Sequence, residues 1–187
     1  MAAEPLVMTT PAEGVAERIA QGDPAAFEAL FRAEYAGLCR FLAGQVGSAA
    51  EAEEIAQEVL LRLWNARGRL REHASLRAYL YRSARNAAIN HRRRAALERR
   101  HSEVAHVPLA VSPAADERLR LRLLAEAATA AVRELPERCR LIFDMSRSSH
   151  LTHAEIAEAL DISPRTVETQ IGRALALLRR RLAPLMD

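Results

Sequence analysis

The stretch THAEIAEALDISPRTVETQIGRALALL, residues 152–178, decides the fold of the C-terminal half. It opens on Thr152 with Glu155 three residues later. That is a capping box, in which the hydroxyl accepts from one orphan backbone N–H and the carboxylate from another. The helix started there is predicted to end near Asp161-Ile162, because Ser163-Pro164 follows. A serine N-cap before a proline at the first helical position marks a new start. Ile156, Ala157, Leu160, Ile162, Val167, Ile171, Ala174 and Leu175 fall where two crossing helices must meet, which predicts a helix-turn-helix. The second helix of that motif turns its N-terminal residues to base edges in a major groove. Here these are Arg165, Thr166, Glu168, Thr169 and Gln170, with Arg173 one turn on. Arginine suits guanine, glutamate accepts from cytosine N4, and glutamine suits adenine.

Upstream, the same start signals recur. Asp23-Pro24 precedes Phe27, Leu30, Phe31, Leu38 and Leu42 at helical spacing, and Ser48 with Glu51 forms a further capping box before Ile55, Val59 and Leu63. Arg67-Gly68-Arg69 interrupts the pattern. Ser75 caps a helix with Leu76, Leu80, Ala84, Ala87 and His91 on one side. Periodicity stops between Glu98 and Ala115, where Pro108, Ser112 and Pro113 read as a linker. It resumes with Leu119, Leu123, Leu124, Ala127 and Val132, and again after Pro136 with Cys139, Ile142 and Phe143. No strand signal of any length occurs. The expected fold is all-α: a loose tail at 1–14, a helical domain at 15–97, a flexible linker at 98–115, and a helix-turn-helix domain at 116–187.

Composition supports this and narrows the function. The 187 residues are 50% hydrophobic but only 4% aromatic, so the core is built from Leu, Ala, Ile and Val. All 27 basic residues are arginine. Residues 67–100 carry 11 arginines against 2 acids, whereas residues 1–66 carry 4 against 10. A polyanion partner is therefore expected at one segment. Cys39 and Cys139 stand in no metal spacing and fit a reducing compartment. No apolar run reaches the roughly 20 residues that span a bilayer, and the N-terminus lacks the basic start and apolar core of a signal peptide.

Two further faces follow from helical spacing. In the arginine-rich helix at 75–94, Arg82, Asn86, Asn90 and Arg93 lie close to one stripe flanked by Arg85 and Arg92, with no acid between Glu72 and Glu98. A solvated face usually mixes signs, so this one is read as a nucleic-acid surface. In residues 51–64, Glu54, Gln57, Glu58, Leu61 and Trp64 share the side opposite Ile55, Val59 and Leu63. An acidic patch around Leu and Trp reads as a protein-docking surface, and a tryptophan closing the core is the plainer alternative.

The segments AFEALFRAEY, EAEEIAQEVLLRLW and SLRAYLYRSARNAAINHRRR resemble region 2 of an extracytoplasmic-function (ECF) sigma factor. LPERCRLIFDMSRSSHLTHAEIAEALDISPRTVETQIGRALALLRRRL resembles region 4 of the same group. The likeness runs from Asp23 to Leu182, and the LPERC that opens the second segment and the TVE after Ser163-Pro164 also resemble the iron-uptake and polysaccharide-uptake branches. It departs from the family where a usual Asp is Glu54, a usual Trp is Tyr79 and a usual Asp is Asn90. Ser149-His150 also stands where the family usually has Gly. The resemblance implies a promoter-specificity subunit of bacterial RNA polymerase, cytoplasmic and nucleoid-associated, with no activity and no cofactor of its own. Glu54, Gln57, Glu58, Leu61 and Trp64 would dock on the clamp helices of the largest polymerase subunit. Arg82, Arg85, Asn86, Asn90 and Arg93, with the loop at 68–74, would read the −10 element, and Arg165, Thr166, Glu168, Thr169, Gln170 and Arg173 the −35 element. An anti-sigma protein is an implied partner, and membrane insertion is not.

Geometry is consistent with that implication. Elements one and a half helical turns apart lie roughly 50 Å apart, and an 18-residue tether extends to about 60 Å. The alternative reading is a free-standing helix-turn-helix regulator, for which residues 15–97 show no sensing pocket. His150, His153 and Glu155 span a single helical turn with no third His or Cys close in sequence, so no metal site is expected. Nothing resembles a nucleophile elbow or a phosphate-binding loop.

Overall fold

The computed structural model describes residues 11–72, 75–99 and 116–183. Within them the chain forms α1 (Pro11–Ala20), α2 (Pro24–Val46), α3 (Ala49–Asn65), a 3-10 segment (Arg67–Glu72) and α4 (Leu76–Arg99). It continues with α5 (Asp116–Arg133), α6 (Glu137–Arg147), α7 (His153–Leu160) and α8 (Pro164–Leu182). The fold is all-α, a helical domain followed by a helix-turn-helix domain. The first helix starts at Pro11, inside the stretch expected to be tail. Proline is preorganised for a first helical turn, and Ile19, fully buried, anchors the helix. Residues 1–10 and nearly all of the expected linker, 100–115, lie outside the described residues; α4 runs through Glu98 to Arg99.

The capping residues set the helix boundaries. Asp23 accepts from the Ala25 and Ala26 amides at 2.9 and 3.3 Å and receives Arg18 Nε at 2.8 Å. Arg18, together with those amides, holds the Asp23 carboxyl below its ordinary range. Gly47, at φ 86°, closes α2 in the left-handed region that favours glycine. Thr152 and Glu155 form the complete capping box of α7. The box expected at Ser48 is half made. The Ser48 hydroxyl accepts from the Glu51 amide, while the Glu51 carboxylate turns to His91 Nε2 at 3.2 Å.

Leu30, Leu38, Phe41 and Leu42 of α2 meet Ile55, Val59, Leu60 and Leu63 of α3 and Leu80 and Ala84 of α4 in the first core. In the second half Leu135, Cys139 and Ala174 pack with Val132, Phe143, Leu177 and Leu178. The two halves also touch. Helix α4 packs on α2 and α3 and, separately, on α7. Ile142, Met145, Leu151 and Ile156 are thereby continuous with the first core. Tyr81, a position outside the stripe that the spacing predicts for α4, is fully buried, its ring 5.4 Å from that of Phe41 of α2.

Candidate nucleic-acid and polymerase interfaces

The helix-turn-helix is built as its caps require. Asp161 ends α7 at φ 53° and ψ 56°, the left-handed turn that swings the chain into α8. Ser163 Oγ accepts from the Thr166 amide at 3.1 Å and lies 2.9 Å from Thr166 Oγ1. Val167, Ile171 and Ala174 are buried beneath the helix, and Ile156, Ala157 and Ala159 rise from α7 below it. On the outer side Arg165, Glu168, Thr169 and Arg173 are exposed, and Thr166 and Gln170 are half-buried. Thr169 Oγ1 donates to the Arg165 carbonyl at 2.8 Å, and Thr166 is engaged at the cap. Glu168 lies 4.0 Å from His153 Nδ1. The long side chains Arg165 and Arg173 are thus the groups with greatest reach, on a helix held at its start by serine and proline.

On α4 the expected stripe is present and outward-facing. Asn86, Asn90 and Arg93 are exposed and Arg82 and Arg85 half-buried, on the side away from Leu80, Ala84 and Ala88. Arg92, beside the stripe, approaches Glu137 of α6 at 3.5 Å. The arrangement sets short amides between guanidinium groups, one turn apart. That suits a single strand, with arginines on phosphates and amides on base edges.

On α3, Glu54, Gln57, Glu58 and Leu61 are exposed, Leu61 with 59% of its surface open. Trp64 differs. It is half-buried, its ring 5.0 Å from that of Phe27, with the Arg67 guanidinium 4.7 Å above it. Four of the five expected docking residues share an open face, and the tryptophan stands at its edge, where it also closes the core.

Sequence spacing missed one cluster. Arg77, at the start of α4, donates from Nε to Glu34 at 2.7 Å and from Nη2 to the Ser149 carbonyl at 2.7 Å. Its Nη1 reaches the His150 carbonyl at 3.2 Å and Glu155 at 3.5 Å. Ser75 adds contacts to Glu155 and Glu158, each at 3.3 Å. His150 takes φ 53°, the left-handed conformation a glycine there would adopt freely. Among the described residues no three His, Cys, Asp or Glu side chains form a group that could hold a metal ion. Among them, too, no helix is long and apolar enough to cross a membrane.

Residues 30–98 match the family Sigma-70 region 2, and residues 125–178 match Sigma-70, region 4. The RNA polymerase sigma-H factor of Pseudomonas aeruginosa is 27% identical over 181 residues, covering 91% of this chain and 93% of that protein. Two solved structures share the fold. One is CnrH in complex with the cytosolic domain of CnrY, at 22% identity and TM-score 0.65, covering 94% of this chain and 99% of that one. The other is the sigma factor RpoE in complex with the anti-sigma factor NepR from Bartonella quintana, at 19% identity and TM-score 0.64, covering 84% and 96%. With region 2 and region 4 in order on one all-helical chain, the protein belongs to the sigma-70 family, as a transcription initiation factor of the extracytoplasmic-function type.

Proposed function

We propose that the chain acts as the promoter-reading subunit of RNA polymerase, in the cytoplasm at the nucleoid, without catalysis of its own. Residues 15–97 act as the core-binding and −10 unit, 98–115 as the tether and 116–187 as the −35 unit. The acidic face of Glu54, Gln57, Glu58 and Leu61, with Trp64 at its edge, docks on the clamp helices of the largest polymerase subunit. Arg82, Arg85, Asn86, Asn90 and Arg93 hold the separated −10 strand. A flipped base costs a few kcal/mol of unstacking, and with few aromatics available its capture relies on charge and hydrogen bonds. Arg165, Thr166, Glu168, Thr169, Gln170 and Arg173 read the −35 duplex. The solved relatives include a sigma factor held by an anti-sigma factor, and an anti-sigma protein is proposed as the partner that restrains this chain.

The observation that carries the reading is the pairing, on one chain, of an outward arginine–asparagine stripe on α4 with an outward polar face on a capped α8. Adding the purified chain to core RNA polymerase on a library of bacterial promoters tests it. Polymerase-dependent, start-site-specific transcripts are expected. Sequence-specific binding as a dimer, with no effect on core polymerase, would instead support a free-standing helix-turn-helix regulator.

A further inference from the structure

Resting on that reading, we infer that Gly172 is a specificity-determining residue of α8. Its missing side chain lets the helix seat deeply enough in the −35 major groove for Glu168 and Thr169 to reach base edges. Gly172 follows Arg165 by seven residues, so it lies within about 20° of it around the helix and about 10 Å further along. Glu168 and Thr169 stand four and three residues before it, on the same side. Val167, Ile171 and Ala174 are buried on the opposite side.

Nothing in the folded chain asks for glycine at this position. Gly172 is exposed, and a Cβ on it would meet nothing within 4 Å. Its backbone is not left-handed either; the positive-φ glycines among the described residues are Gly22 and Gly47. A glycine inside a helix weakens it relative to alanine, and α8 gains no packing of its own in return. Openness alone assigns nothing, because Gly44 of α2 is equally open. The two differ in what they face. Gly172 stands in the row of residues proposed to meet DNA, and Gly44 lies on a helix with no such role.

The dimensions of the groove give the missing side chain its use. A B-DNA major groove is about 12 Å wide and about 8.5 Å deep, and an α-helix with its side chains is about 10–12 Å across. With so little slack, the bulkiest group on the inner side sets how far the helix enters. Arg165 and Arg173 are long enough to read bases from a shallow seat. Glu168 is shorter, and Thr169 shorter still. The Thr169 hydroxyl folds back on the Arg165 carbonyl at 2.8 Å, which leaves its methyl group and an acceptor lone pair for the groove. Hydrogen bonds weaken beyond about 3.2 Å, so an outward shift of the helix by about an ångström silences the short side chains first.

Holoenzyme assembled from the full chain and core polymerase tests this on promoters carrying every single-base change in the −35 element, alongside urea unfolding of the free chain. Gly172→Ala, Gly172→Gln and the control Gly44→Ala are all expected to raise the urea midpoint, since alanine and glutamine are better helix formers. Gly172→Ala should weaken promoter binding about threefold and Gly172→Gln about tenfold or more, whereas Gly44→Ala should bind as wild type. Base preference should flatten at the positions that Glu168→Ala and Thr169→Ala also flatten. It should persist at the position that Arg165→Ala flattens. Stabilised Gly172 variants with wild-type affinity and preference overturn this role for Gly172, as does weakening spread evenly over all −35 positions. A lowered urea midpoint in both Gly172 variants overturns it too, by showing that the position is packed. Wild-type holoenzyme without any −35 preference would instead remove the reading of α8 on which the role of Gly172 rests.

Discussion

Helices α4 and α8 are both proposed to touch promoter DNA, yet they are built in opposite ways. Helix α4 lies in the segment with 11 arginines against 2 acids, and two of its sides are buried, one against α2 and α3 and one against α7. Helix α8 lies in residues 101–187, where 12 arginines meet 12 acids, and it presents an open outer face fixed by Ser163 and Pro164. The first depends on charge density and on what covers it. The second depends on the placement of a few side chains. Charge supplies affinity without sequence information, and placement supplies sequence information.

The largest expected effect separates these roles. Arg82→Gln, Arg85→Gln and Arg93→Gln together should flatten the salt dependence of promoter binding, lowering the log–log slope by up to about 3, with base preference unchanged. Filter binding or anisotropy across a salt series measures it; an unchanged slope would remove α4 from the phosphate-contacting surface. Next, Arg165→Ala should cost about 1–3 kcal/mol and relax one −35 position while leaving the salt slope nearly as it was. Competition with single-base promoter variants reports this, and uniform weakening across all of them would make Arg165 a phosphate contact.

Two glycines extend the comparison to stability. A Cβ on Gly37 would lie 2.9 Å from the Tyr81 hydroxyl, whereas one on Gly172 of α8 meets nothing within 4 Å. Gly37→Ala should therefore destabilise by about 1–3 kcal/mol through overpacking against α4. Gly172→Ala should stabilise by about 0.5–1 kcal/mol as a helix-interior replacement. Urea unfolding of the two variants should show opposite signs.

The smallest effect concerns Asp144 of α6. Burial pushes its carboxyl up, opposed by Arg140. An acid raised in the folded state favours folding only while protonated, and this contribution is lost as pH rises through its folded value. At neutral pH Asp144→Asn should thus be slightly stabilising, with the gain shrinking as pH falls into the ordinary carboxylate range. Thermal melts at pH 7 and pH 4 check the sign.

The same contrast explains what was legible in the sequence. Signals confined to a few residues were readable: Asp23-Pro24, Thr152 with Glu155, and Ser163-Pro164 all form the caps their spacing predicts. The helix-turn-helix face was readable too, because Val167 and Ile171 are buried with Ile156 and Ala157 of the neighbouring α7, while Ala174 turns to Leu135 and Cys139. Features closed by distant partners were not. Glu51 leaves its box for His91, forty residues on. Arg77 looks like any other arginine of its segment until Glu34 and Glu155 are brought beside it from 43 residues before and 78 after. Tyr81 falls off the α4 stripe because its cover, Phe41 and Gly37, comes from α2, a helix distant in sequence. Trp64 sits on the border between the two readings its spacing allowed, and only the Phe27 ring shows that it also closes the core.

The central claim is that α4 reads the −10 element and α8 the −35 element. Transcription by core polymerase on a promoter library randomised at both elements tests it most directly, comparing wild type with Asn86→Ala and Arg165→Ala. The account predicts that Asn86→Ala alters base preference only within the −10 element and Arg165→Ala only within the −35 element. Changes by both variants in the same element, or by neither in any, would contradict it.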